Sequence, residues 1–578
     1  MQVKENIVSF YFTLIKEHKW KISSLFATLV LTSFLSAYPI VLIKKTIDSA
    51  VSPAPLKTIL FYGGAYFLFH AFNAFFGRWF EYYSSYTSNL MAHNLRCRMF
   101  SHLAGLPVGF YSGRKKTDFL FKLVQDCDVA SVSFLEPLAF LGRSGLTFLF
   151  GFYYMWNIDK EITLFMIPIG IAAALTMTFS GKGISRREKD SINSKESLWA
   201  EFMEFMAGIK EVKIFNREAS ASLVIESLSA SLKSANTGLV GFISWSKGIN
   251  QFLMMAVIAM IMIYGAVKVK FGFLTIGGLS AVMMYNGLLI DPMAEALSLY
   301  QAMMAQFINV RRIHEIFASE PETGGGTRFT GLKESIEFKN VSFKYEKDKL
   351  ALKDFNLKIN KGDKTAVVGL TGAGKSTLIK LLCRFYEPAA GSINMDGRNI
   401  KEYELKDLRA AVSTVFQDFF VFNGAILENI MFSNPLAPKR LVKEVMEISG
   451  LADLTAFSVA GEDGKLLSGG QRQKTAIARA LLKPADVYVF DESFSNLDSV
   501  ATSEILEKIH GRFSDKTIIY ITHKLTTVIN VPKIILISNG SVIDAGSHAE
   551  LMRRNRDYET IYNKQFLEFE IVSPEKLL

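Results

Sequence analysis

Gly369-Leu370-Thr371-Gly372-Ala373-Gly374-Lys375-Ser376-Thr377 is the stretch on which the reading of this 578-residue chain turns. It fits the pattern G-x-x-x-x-G-K-[ST]: glycines let backbone N–H groups close on phosphate oxygens, and the next helix turns its positive N-terminus toward them. Thr365 to Val368 reads as a short buried strand upstream, and Leu378 to Phe385 starts an apolar helix downstream. Strand, loop and helix therefore stand in the order the motif requires. In such a loop Lys375 sits over the β- and γ-phosphates, Ser376 offers its hydroxyl to Mg²⁺, and Thr371, Gly372, Ala373, Gly374 and Thr377 complete the cradle.

Two later stretches give the loop its partners. Four apolar residues, Val487 to Phe490, run into Asp491 and Glu492. A carboxylate ending a core strand beside a phosphate loop can hold the Mg²⁺ that bridges β- and γ-oxygens, which is the role expected of Asp491. Glu492 is the expected general base, polarising the attacking water. Leu467-Ser468-Gly469-Gly470-Gln471 places a hydroxyl and glycine N–H groups at a helix N-terminus, a second anion cap in the same domain.

Hydrophobic residues make up 49% of the chain and charged ones 21%, so part of it belongs in lipid and part does not. Six apolar stretches of about 20 residues, enough to span a bilayer, lie near 20–43, 58–80, 137–156, 161–180, 249–267 and 274–296. Long polar segments of helical pattern separate the second span from the third and the fourth from the fifth. They carry Arg96, Arg98, Arg114, Lys115 and Lys116, and Arg186, Arg187, Lys189, Lys195, Lys210 and Lys213. Counting basic residues makes both segments cytoplasmic, with both chain termini inside. The net charge of +10 is then explained without a nucleic-acid partner. Cys97, Cys127 and Cys383 show neither metal-ligand spacing nor a paired framework.

The second span is crowded with aromatics such as Phe61, Phe67, Phe72, Phe75 and Trp79, which suit lipid contact and helix packing better than a drug cavity. His70, Arg143 and Asp291 are costlier inside a span: His70 and Arg143 line a solvated cavity or pair within the bundle, while Asp291, with Glu295, fits a position in water near the inner face. Ser319 to Thr330 has linker composition, and beyond it the pattern becomes that of an α/β domain. Ser335 to Phe343 and Ala351 to Ile359 alternate like antiparallel strands, while Val487 to Phe490, Thr517 to Ile521 and Ile534 to Ile537 read as buried parallel ones.

Leu467 to Gln471, followed by Arg472-Gln473, resembles the signature motif of ATP-binding cassette (ABC) transporters. Other motifs of that family match residue by residue. Tyr345 stands at the place of the aromatic that stacks on adenine, Gln417 at that of the glutamine sensing Mg²⁺ and water, and His523 at that of the switch histidine on the γ-phosphate. Ser495-Asn496-Leu497-Asp498 looks like the D-loop, with Asn496 where alanine is common. The resemblance covers nearly the whole chain and is closest to exporter-type half-transporters.

What it implies is an all-α six-helix transmembrane domain (1–318), a linker (319–333) and an α/β P-loop ATP-binding cassette domain (334–578). It further implies ATP and Mg²⁺ as cofactors, an ATPase of the cytoplasmic membrane, and a homodimer in which Ser468, Gly469, Gly470, Gln471 and Asp498 of one chain face nucleotide held by another. A heterodimer stays open, as do an ATP-gated channel and the identity of the substrate, whether drug, lipid or peptide. Coupling helices are expected near Tyr111 to Thr117 and Ile214 to Ala219. A soluble cassette ATPase is disfavoured by the six spans.

Overall fold

The structure, a computed structural model, describes residues 18–114, 119–120, 122–345, 350–451 and 458–572. Lys115, Lys116 and Thr117 lie outside the described residues, as do the side chains of Asp291 and Glu295. The chain divides into two compact units, one of residues 1–104 with 115–320 and one of residues 105–114 with 321–578.

The first unit is helical: α1 (Lys19–Ala37), α2 (Pro39–Val51), α3 (Leu56–Ala104), α4 (Cys127–Ile158), α5 (Lys160–Ala207), α6 (Ile209–Ile214), α7 (Glu218–Lys270) and α8 (Ile276–Phe317). All six apolar stretches fall in long helical segments. Among the described residues, Lys19–Val51, Leu56–Ala104 and Glu218–Lys270 are long and apolar enough to cross a membrane, and Ile276–Leu289 is a shorter apolar helix. The first stretch is interrupted at Tyr38, because Pro39 has no N–H to donate to the preceding turn and starts α2 instead.

Ile40, Met155, Ile162, Val257, Ile261, Val282 and Tyr285 form a buried cluster joining α2, α4, α5, α7 and α8. The Tyr285 hydroxyl, buried there, donates to Ala37 O at 3.0 Å. Polar groups collect at helix ends. Asp159 caps α5 by accepting from Ile162 N at 3.0 Å, and Lys268 Nζ reaches Asp159 at 2.6 Å and Glu161 at 2.7 Å. Asp48 accepts from Thr275 Oγ1 and Gly277 N, each at 3.0 Å, where a Cβ on Gly277 would collide with Lys44 O. His70 and Arg143 are exposed and form no ion pair among the described residues; the His70 ring stands 4.5 Å from that of Tyr66.

Near the first expected coupling helix a 3-10 turn spans Val108–Tyr111, and residues 115–117 of the expected stretch lie outside the described residues; near the second, α6 ends at Ile214, where a helix was expected to begin. At the second site the chain turns through Asn216 with φ of +51°, and α7 starts at Glu218.

The second unit has an antiparallel sheet, β1 (Ser335–Lys344), β2 (Leu350–Asn360), β4 (Ala390–Met395) and β5 (Arg398–Asn399), in the order β2-β1-β4-β5. The other sheet holds β3 (Lys364–Val368), β6 (Val412–Val415), β7 (Val487–Asp491), β8 (Thr517–Thr522), β9 (Lys533–Ser538) and β10 (Ser541–Gly546), in the order β10-β9-β3-β8-β7-β6. It is parallel except at β10. Its helices are α9 (Lys375–Leu382), α10 (Leu405–Ala411), α11 (Ile426–Met431), α12 (Lys439–Ile448), α13 (Gly469–Leu482), α14 (Ser499–Arg512), α15 (His548–Arg554) and α16 (Arg556–Val572).

Side chains of the parallel strands alternate between two cores: Tyr488, Phe490, Ile518 and Tyr520 face one, Val487, Val489, Ile519 and Ile521 the other. Both faces are covered, which is why these strands read as unbroken apolar runs. The glycine-rich stretch of linker composition is held by this unit. Gly325 N donates to Tyr403 O at 2.9 Å, and Arg409 grips Glu322 with two bonds of 2.6 and 2.8 Å.

Candidate nucleotide site

Four neighbouring strands, β3, β8, β7 and β6, end at one edge, and each is followed within two residues by a side chain or loop singled out above: Gly369, His523, Glu492 and Gln417. Ligands of open parallel sheets bind outside the carboxyl ends of the strands, so the topology itself gathers these groups. The loop after β3 is shaped by Gly374, whose φ of +96° suits glycine and whose Cβ would collide with Ala351 O. Helix α9 begins at Lys375, earlier than the periodicity predicted, and stops at Leu382, short of Phe385, because Arg384 turns to a φ of +52°.

Lys375 is buried, and its Nζ donates to Gly369 O at 2.8 Å and Leu370 O at 3.0 Å. Burial pushes its pKa down, opposed by the nearby Glu492 and Asp491 carboxylates. Asp491, the last residue of β7, is buried as well. Burial raises its pKa to about 6, with the Ser376 hydroxyl bond acting against that and the Glu492 charge adding to it. Its Oδ1 is buried without a hydrogen-bond partner. An orphaned acceptor beside Ser376 fits a hard cation, since Mg²⁺ is commonly held by one or two carboxylates together with substrate phosphates.

Glu492 is held from both sides: its Oε2 accepts from Gln417 Nε2 at 2.9 Å and its Oε1 accepts from His523 Nδ1 at 2.9 Å. Its φ of +48° is uncommon for a residue with a side chain, a cost met by the bond from its N–H to Ile521 O at 2.8 Å. Lys375, Ser376, Asp491, Glu492, Gln417 and His523 thus form one constellation. Tyr345 borders it, its hydroxyl 3.2 Å from Thr377 Oγ1, with Lys380 Nζ 5.2 Å from its ring centre. Tyr386 stands edge-on to Tyr345 at 5.3 Å and bonds Ser112 Oγ through its hydroxyl at 2.7 Å, tying the 3-10 turn of residues 108–111 to the same corner.

The remaining residues form a second group. Ser468 caps α13 in a reciprocal box, accepting from Gln471 N at 3.2 Å while its own N donates to Gln471 Oε1 at 2.9 Å. Gly469 and Gly470 lie against Asn496, and Asp498 caps α14 by accepting from Ala501 N at 2.7 Å. Among the described residues no hydrogen bond joins Ser468 to Lys375 or Ser376. What links the groups is Gln473, quoted above at the end of the signature stretch but given no role there: its amide donates to Glu492 O and Ser495 Oγ and accepts from Asn496 N at 3.0 Å. A polar residue on the apolar face of α13 was the available signal. Asn496, the departure from the common D-loop, enters this network through its backbone, which any residue could supply.

A P-loop nucleotide-binding domain joined to a bundle of membrane-length helices defines a membrane protein that binds ATP. Residues 22–293 match the family described as ABC transporter transmembrane region, and residues 352–495 match that described as ABC transporter. The chain belongs to the ABC transporter family, with the architecture of an exporter-type half-transporter. It is 28% identical over 501 residues to the ATP-dependent lipid A-core flippase of Pectobacterium atrosepticum, covering 84% of this chain and 85% of that one. To the flippase of Escherichia coli it is 27% identical over 504 residues, with the same coverage. In fold it is similar to a bacterial Atm1-family ABC exporter with ATP bound, at a TM-score of 0.83 and 23% identity over 95% of this chain and 98% of the other.

Proposed function

We propose that the chain is an ATP-driven exporter or flippase of a hydrophobic or amphipathic substrate, a drug, lipid or peptide, working as a pair of identical half-transporters in the cytoplasmic membrane. The observation that carries this is Glu492 fixed between Gln417 and His523, beside buried Lys375 and Asp491, in a chain that also holds the membrane helices. Glu492 is the general base: with both oxygens already oriented, it needs only to exchange one bond for a water at the γ-phosphate. His523 and Lys375 stabilise charge on the phosphates, and Tyr345 offers a ring for adenine. Ser376, Asp491 and Gln417 would hold Mg²⁺, which would supply positive charge to the β- and γ-phosphates.

Among the described residues the cap formed by Ser468, Gly469 and Gly470 makes no hydrogen bond to the phosphate loop of its own chain, and as an anion cap it calls for a phosphate held elsewhere. A two-fold pair of chains gives it one, since an isologous contact places the cap of each on the nucleotide of the other. ATP then favours the closed pair because it binds that state better than the open one, and hydrolysis removes the preference. Both termini and the cassette are cytoplasmic in this arrangement.

The test is Glu492→Gln in proteoliposomes. Hydrolysis should fall by about two to four orders of magnitude with ATP binding kept, and movement of a fluorescent lipid should stop with it. In that background, with the native cysteines replaced, Ala373→Cys in one tagged chain and Ser468→Cys in another should join by a disulfide when ATP is present. Near-parental turnover removes Glu492 from the base role. A disulfide confined to a chain carrying both cysteines refutes the shared site.

A further inference from the structure

His523 lies just past the end of β8, ahead of a 3-10 turn at Leu525–Thr527. The pairing of β8 with β3 stops at Thr522, so the backbone carrying the histidine gains nothing from that ladder. A ring can hold its position against Glu492 only if that backbone is held. The backbone's polar groups are claimed by α16, from the far end of the chain. Gln565 Nε2 donates to His523 O at 2.5 Å, and Gln565 Oε1 accepts from Leu525 N at 2.9 Å. A carboxamide carries a donor and an acceptor side by side in one plane, so a single side chain pairs with this backbone as a neighbouring strand would.

The helix supplying Gln565 is itself anchored. Tyr558, fully buried, bonds His548 Nδ1 through its hydroxyl at 2.9 Å, and its N–H donates to Asn555 Oδ1 at 3.0 Å. Ile561 and Tyr562 pack on the same core. Gln565 falls two turns beyond Tyr558 on the same face of the helix. From the other side Lys524 Nζ donates to Ser495 O at 3.1 Å, so the loop is gripped between the D-loop and α16.

We propose that Gln565 is a positioning residue for His523: the C-terminal helix clamps the backbone from the histidine's own carbonyl to the amide of Leu525 and thereby fixes its ring against Glu492 at the nucleotide site. The proposal rests on the reading of His523 as the γ-phosphate contact given above. A clamp of this kind acts on the turnover step and leaves nucleotide affinity to the phosphate loop. It also makes the site responsive to anything that moves α16.

The experiment uses the full chain in lipid nanodiscs, measuring steady-state ATPase kinetics, thermal unfolding and hydrogen exchange of the peptide containing Leu525. Gln565→Ala should lower kcat about tenfold, with KM for ATP within about twofold of the parent and an unchanged melting temperature, because a small misplacement of a reacting group is expensive in rate. Exchange at Leu525 should quicken. In the His523→Ala background the same change should cost nothing further. Gln565→Glu keeps the length and the acceptor but sets a carboxylate against the His523 carbonyl. It should fall as far, and it decides the matter if the alanine variant does not fold. Parental kcat with quickened exchange, an unchanged exchange rate, or a loss that multiplies in the His523→Ala background would each overturn the clamp. If His523→Ala itself turns over normally while Leu525 exchange still depends on Gln565, it is the assignment of the nucleotide site that fails.

Discussion

The two units place their apolar and polar side chains in opposite ways. In the helical unit Trp20, Phe61, Phe67, Trp245 and Phe273 are each at least 70% exposed, while Asp48, Asp159, Glu161 and Lys268 pair with one another or with backbone at the helix ends. In the cassette the large apolar groups of the central sheet are buried, and charged Lys375 and Asp491 are buried beside them at the strand ends. The difference follows from the solvent. Lipid accepts exposed rings and penalises charges, so the ion pairs named here sit at the ends of spans, with His70 and Arg143 as exposed polar side chains within them. Water drives rings inward, and a cassette that must grip phosphate has to carry buried charge into its core against the cost of desolvation. One unit therefore keeps its polar interactions peripheral, and the other holds them poised at its site.

If the contrast is correct, removing a charge should have unlike effects in the two units. The largest is expected for Lys375→Ala, which should weaken ATP binding about 10- to 100-fold, as measured by titration of a fluorescent nucleotide, because it removes charge-assisted bonds to the phosphates. Unchanged affinity would mean that the cassette's buried cation is merely structural. Next comes Asp491→Asn, which should stabilise the protein in the absence of nucleotide and divalent cations. The pKa of Asp491 is raised from 3.8 to about 6 on folding, so the folded state holds the proton more tightly. Stability is then lost as pH rises through roughly 4 to 6, and at pH 7.5 the carboxylate costs roughly 3 kcal/mol in the native state. Thermal unfolding in EDTA should show that gain in the variant and a flatter profile over this pH range. A variant less stable than its parent at pH 7.5 would refute the account.

The smallest effect is expected from Arg311→Met, near the C-terminal end of α8. Its partner Glu315 lies one turn on at 3.2 Å, both side chains are more than half exposed, and such pairs contribute about 1 kcal/mol or less. Unfolding of the detergent-solubilised protein should shift little, and a drop as large as that seen for core substitutions would erase the distinction between the units.

Much of the fold was legible because its signals are local. The alternation of Ser335 to Phe343 and the unbroken run Val487 to Phe490 each reported one or two covered faces. Local signals also misled. A helix was expected near Ile214 to Ala219, but α6 ends at Ile214 and the chain turns at Asn216, since short helices carry too few residues for a periodicity to show. Ser319 to Thr330 reads as a flexible linker by composition, yet Gly325 and Thr327 are bonded to the Glu402–Tyr403 backbone. Glycine composition reports chain flexibility in isolation and says nothing about backbone partners supplied by another segment.

By itself the sequence determined the chemistry available: the phosphate loop around Lys375, the carboxylates after β7, the serine cap at Ser468, and stretches too apolar for water. Tertiary structure alone decided which of these groups meet. Gln417 reaches Glu492 across 75 positions, His523 across 31, and Gln565 reaches His523 across 42. No pattern within a single helix or strand encodes such contacts, because they exist only once parallel strands have brought their carboxyl ends to one edge and the last helix has packed beside them.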